Sequence, residues 1–139
     1  MKFYTSNEKD PFSKGSFNIT KSPNGPFIAD RVRMYKYDGY LAVSGDKLLD
    51  SGELAGVSLT FLDNEGTFTG NVGNPDLPPW GRYRIGNWSH SAWPGETTHT
   101  YLDKPEHVTG KFSFIISISG TEHECEGEFN VQGLINPFP

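Results

Sequence analysis

Apolar and polar residues alternate along this chain with a period of two, and the pattern recurs from one end to the other. Successive side chains of a β-strand point to opposite faces, so such alternation predicts strands with one buried and one wet face. In "RVRMYKYDGYLAVSG" two such runs are separated by Asp38-Gly39, a pair suited to a two-residue turn with positive φ. Pairing Tyr37 with Tyr40 puts Val32, Met34, Leu41 and Val43 on one face. Arg31, Arg33, Tyr35, Tyr37 and Tyr40 fall on the other. A second hairpin, "GVSLTFLDNEGTFTG", turns at Asp63–Gly66 and collects Val57, Leu59, Phe61 and Phe68 against Ser58, Thr60, Thr67 and Thr69. The third is "GKFSFIISISGTEHECEGEFNVQG", where a Gly120-Thr121 turn pairs Ile118 with His123, Ile116 with Cys125 and Phe112 with Phe129. Its apolar face is Phe112, Phe114, Ile116, Ile118, Cys125, Phe129 and Val131, and its polar face carries Glu122, Glu124, Glu126 and Glu128.

Shorter strands are predicted at Ser16–Thr20, Arg82–Gly86 and Thr97–Leu102, for about eight or nine in all. Sixteen glycines and ten prolines break the remaining chain too often for helices, and "SGDKLLDSGELAG" holds one helical turn at most. "NPDLPPWG" (Asn74–Gly81) reads as a loop, because Pro78 and Pro79 have no N–H to give a ladder. The expectation is therefore an all-β fold, a single antiparallel meander. To bury its apolar face it must close as a barrel or fold over as a β-sandwich. A barrel that resembles the calycin type in outline follows if sequential strands neighbour one another.

Length and composition sharpen this in few respects. With 139 residues the chain suits a single domain spanning 1–139, and an aromatic share of 14% supplies bulky rings to fill its core. A net charge of -5 argues against a nucleic-acid partner, which calls for a basic face. Cys125 is the only cysteine, so no intrachain disulfide is possible and a reducing compartment fits. The start "MKFYTSNEKD" has no apolar run behind its lysine, and no stretch is apolar for long enough to make a membrane helix. The expectation is a soluble cytoplasmic protein with no membrane partner. Asn18-Ile19-Thr20 and Asn87-Trp88-Ser89 match the glycosylation sequon, which carries weight only beside a secretion signal.

All three tryptophans fall between Trp80 and Trp93, and "GNWSHSAWPGE" alone holds Trp88, His90 and Trp93. Loops at the mouth of a barrel are common ligand sites, and flat aromatic faces suit sugar rings or flat aromatic ligands. Tyr83 and Tyr101 are candidate walls, with Asn87, Ser89 and His90 as orienting hydrogen-bond partners. The structural alternative is that the rings plug the barrel end as a small core of their own. A second candidate is the stripe Arg31, Arg33, Tyr35, Tyr37 and Tyr40, because tyrosine and arginine are enriched where proteins bind proteins. Its structural alternative pairs these arginines, with Arg82 and Arg84, against the glutamate stripe across strands.

Other constellations are weaker. His123 and Cys125 share a strand face, yet the alternation turns Cys125 inward, where a thiol is usually an inert small hydrophobe. The spacing of His90, His99, His107 and His123 matches no metal pattern, and "DNEG" lacks the ligand order of a calcium loop. No nucleophile elbow, phosphate-cradling loop or dinucleotide fingerprint occurs, so no cofactor, metal or catalytic residue is assigned. The function expected is non-catalytic binding at an aromatic-lined site formed by Trp80, Trp88, His90, Trp93, Tyr83 and Tyr101. Carbohydrate is the first ligand class, and small apolar or aromatic molecules the second. The alternative is a protein-interaction module, an inhibitor or immunity-type partner or a homodimer, using the Tyr/Arg face. A small barrel enzyme ranks third.

Overall fold

The computed structural model describes residues 12–135, so the "MKFYTSNEKD" start lies outside the described residues. In chain order the strands are β1 (Lys14–Lys21), β2 (Phe27–Ile28), β3 (Arg31–Tyr37), β4 (Tyr40–Leu48), β5 (Leu54–Leu62) and β6 (Gly66–Val72). They continue as β7 (Trp80–Ile85), β8 (Trp88–Ser91), β9 (Gly95–Asp103), β10 (Glu106–Ile118) and β11 (Thr121–Gln132). Among the described residues there is no helix, and so none long and apolar enough to cross a membrane.

The all-β antiparallel expectation holds, in its sandwich form. One sheet has the order β2-β1-β11-β10-β9-β6 and the other β3-β4-β5-β7-β8. The barrel is corrected by these edges: no ladder joins the two sheets, and the chain is not one meander. It crosses between sheets after β2, β5, β6 and β8, so several sequential strands never pair. The predicted β5–β6 hairpin is one casualty. β5 pairs with β4 and β7, while β6 pairs with β9, so the Asp63–Gly66 segment turns a corner between the layers.

The β3–β4 hairpin has the predicted register, Tyr37 opposite Tyr40, with Asp38 and Gly39 at φ of 48° and 84°. The β10–β11 hairpin keeps its predicted faces but is shifted by two residues. Its turn is Ser119-Gly120, both at positive φ, and Ile118 faces Thr121. Side-chain volume explains the shift. In the observed register Phe112 faces Gly127 and Phe129 faces Gly110. A Cβ on Gly127 would lie 2.8 Å from Phe112 Cζ, and one on Gly110 would lie 2.7 Å from Phe129 Cζ. Each glycine thus leaves room for the ring beside it, a large-against-small fit that a dense core demands.

Between the sheets, Phe17, Phe112, Phe114 and Phe129 meet Met34, Leu41, Leu59 and Phe61, all buried. Phe17 stacks on Phe129 at 5.4 Å, and Phe61 reaches across to Phe129 at 6.3 Å between centroids. Cys125 is fully buried here, and burial pushes its thiol up to about 12, as an inert core residue requires.

Candidate functional site

The two outward faces of the sandwich differ in charge. Along β11, Glu122, Glu124, Glu126 and Glu128 point away from the core of the six-stranded sheet, and Lys21 binds Glu124 and Glu126 at 3.1 Å each. Arg31, Arg33, Arg82 and Arg84 alternate outward on the five-stranded sheet instead. The two stripes are on opposite layers, so the cross-strand Arg–Glu pairing considered from sequence does not form. Arg31 pairs with Asp46 of β4 at 2.9 Å. Among the described residues Arg33, Arg82 and Arg84 have no carboxylate within ion-pair distance.

A groove of about 530 Å³ lies on this arginine-bearing face. Ser58 and Thr60, outward residues of β5, line its floor, and Arg82 and Ser91 from β7 and β8 border it. Small side chains are what keep the floor low. At one end Tyr37, Tyr40 and Trp80 form a run of rings, with centroids 5.7 Å and 5.1 Å apart, and Tyr35 extends it beyond Tyr37 at 5.9 Å. The tilted contacts of Tyr40 with Tyr37 and Trp80 suit ring quadrupoles and fix the rings against one another.

Two devices hold the tryptophans. Trp80 opens β7 opposite Thr60, and its Nε1 donates to the Asn74 carbonyl at 2.9 Å. Asn74 also accepts, through Oδ1, the Asp76 N–H at 2.9 Å, so the loop after β6 is turned back over the sheet. Trp93 lies where the chain leaves β8 for the other sheet, its N–H donating to the Ile115 carbonyl at 2.8 Å. Its ring covers Gly73, where a Cβ would come within 1.9 Å of Trp93 Cδ1. Only glycine fits there, and Trp93 stays 70% exposed as the far wall of the groove.

The residues named from sequence therefore divide. Trp80, Trp93 and Tyr37 line the groove, with Tyr40 and Tyr35 stacked behind. Trp88 and His90 alternate onto the opposite side of β8, the side of Ile85 and Tyr83. Tyr83 and Tyr101 are not walls but core, at 0% and 1% exposure. Their hydroxyls donate to Asn24 Oδ1 and Asp103 Oδ1, and burial raises both above the usual tyrosine range. Arg31 and Arg33 sit at the far edge, their guanidinium groups 5.9 Å and 5.3 Å from the Phe12 ring centroid. Ser58, Thr60, Arg82 and Ser91 were not singled out as ligand contacts by sequence, because an outward polar residue on a strand looks the same with or without a groove above it.

Among known protein families, curated proteins and solved structures, none matches this chain.

Proposed function

We propose that the protein is a non-catalytic carbohydrate-binding module whose site is the groove on the outer face of the five-stranded sheet. The observation that carries this reading is one arrangement: Tyr37, Trp80 and Trp93 stand around a polar floor of Ser58 and Thr60, with Arg82 beside it. Sugar rings present apolar C–H faces and a rim of hydroxyls. Aromatic side chains take the first, and serine, threonine and arginine take the second. Arg82 donates to Ser89 Oγ at 3.3 Å, a neutral partner, and among the described residues no carboxylate lies within ion-pair distance of it. An acidic sugar, carrying a carboxylate or sulfate, supplies the missing charge. That the molecule is acidic overall does not oppose this, because its glutamate stripe lies on the other layer.

The protein-interaction alternative is less well supported. Two of the five residues of its stripe, Arg31 and Arg33, are already engaged with Asp46 and Phe12, and its tyrosines line the groove or stack behind it. A glycan array at low and high salt tests the proposal. Retention of acidic oligosaccharides, weakened by salt, is the expected result. Retention of none, or of neutral glycans without salt dependence, contradicts it.

A further inference from the structure

We propose that a pocket beneath Pro78 and Pro79 is a second binding site, for a small neutral aromatic molecule bearing one hydroxyl group. The pocket encloses about 200 Å³ and is reached between β5 and the paired strands β6 and β9. Phe61, Phe68, Pro78 and Pro79 give it apolar walls, and Thr97 and His99 supply its polar groups. Thr97 and His99 are two apart on β9 and so share its inner face, at 2% and 5% exposure. Thr97 Oγ1 and His99 Nε2 are both buried without a hydrogen-bond partner among the described residues. A buried polar atom left unpaired costs stability, so a ligand that pairs it gains affinity.

The chemistry of these groups selects the ligand. Burial pushes the His99 imidazole down to about 4, so at neutral pH the ring is uncharged and an ionised ligand would meet no counter-charge. A neutral imidazole nitrogen either donates or accepts according to its tautomer, and a threonine hydroxyl does both. One ligand hydroxyl can therefore serve Thr97 Oγ1 and His99 Nε2 together, donating to one and accepting from the other. Size and shape agree. An apolar cavity of about 150 Å³ is enough for benzene, so the space here takes a ring with a substituent. The walls are flat, since the His99 ring stacks on Phe61 at 3.8 Å and lies 5.5 Å from Phe68. Gly70, opposite Thr97 on β6, makes the roof possible: a Cβ there would lie 2.7 Å from Pro79 Cδ. Leu62, Asn64 and Phe68 at the rim are exposed, which opens the pocket to solvent. The pocket shares no lining residue with the carbohydrate groove.

Phenol and toluene are the probes that separate the polar from the apolar contribution, titrated into isotope-labelled wild-type protein and followed by NMR. Phenol is expected to shift the Thr97, His99 and Phe68 resonances saturably and to bind about tenfold more tightly than toluene. Thr97→Val keeps the shape of the side chain and removes its hydroxyl. It is expected to cut the phenol preference to roughly threefold or less while toluene binds as before. Equal binding of the two probes, or an undiminished preference in Thr97→Val, overturns the proposal. So does the absence of saturable shifts with phenol, which would leave the pocket to water. If the variant does not fold, the wild-type comparison of phenol with toluene decides alone.

Discussion

Acid should destabilise this protein through one residue above the others, His99. The ring is 5% exposed, stacked on Phe61, and its pKa is lowered by burial from 6.5 to about 4. The unfolded chain takes up a proton below about pH 6.5, while the folded chain refuses it until about pH 4. Between these values the unfolded state binds more protons, so stability rises with pH and falls on acidification. At about 1.4 kcal/mol per pH unit the gap is worth about 3 kcal/mol, a large part of an ordinary domain's stability. The contribution is complete above pH 6.5 and lost by about pH 4. His99→Phe keeps a flat ring and removes the titration. Urea denaturation of both proteins at about pH 7.5 and about pH 4 is the assay, with carboxylate effects common to both. Wild type should lose about 3 kcal/mol more than the variant over that range. Parallel pH profiles, or a His99 that titrates near 6.5 by NMR, would show that burial does not hold this ring neutral.

The fit of glycine against ring in the core predicts that Gly110→Ala costs about 1–3 kcal/mol or more, since its Cβ would meet the Thr98 carbonyl at 2.4 Å. Gly25→Ala meets no atom and bears only the strain of φ +81°, about 1 kcal/mol, and urea midpoints should separate the two. Lys36 Nζ lies 3.1 Å from both Asp63 and Asp103 and 5.0 Å from the Tyr101 ring centroid. Lys36→Met should therefore lower the urea midpoint at neutral pH. Because Lys36 holds the Asp103 carboxyl below its usual range, that loss should shrink as the carboxylates protonate. Cys125 should resist thiol reagents in the native protein and react once it unfolds; rapid native labelling would show that the strand carrying it is open.

Much of this fold is legible in the alternation of side chains, and its failures have physical causes. Asp38-Gly39 sets the β3–β4 register because turn chemistry and pattern agree there. On β10 and β11 the same alternation is satisfied by any shift of two residues, so the pattern gives the faces but not the pairing. Only the volumes of Gly110 and Gly127 against Phe129 and Phe112 separate the two registers. The β5–β6 corner misleads for a related reason: Phe61 and Phe68 both turn toward His99, but from opposite layers. Trp80 and Trp93, close in sequence, line one groove, whereas Tyr83 and Tyr101 obey the strand period and go to the core. Trp88 differs from Trp93 by an odd number of positions and by a change of sheet, which the window alone does not reveal.

The groove is tested most directly by the tryptophans on its two sides. Trp93 and Trp88 are exposed to a similar extent, 70% and 73%, but only Trp93 borders the groove. An acidic-glycan array probed in parallel with wild type, Trp93→Ala and Trp88→Ala isolates that difference. Wild type and Trp88→Ala should retain the same glycans, and Trp93→Ala should lose them by about tenfold or more. A glycan signal that falls equally in both variants, or survives in both, contradicts the assignment of the site. No signal from wild type contradicts the carbohydrate reading itself.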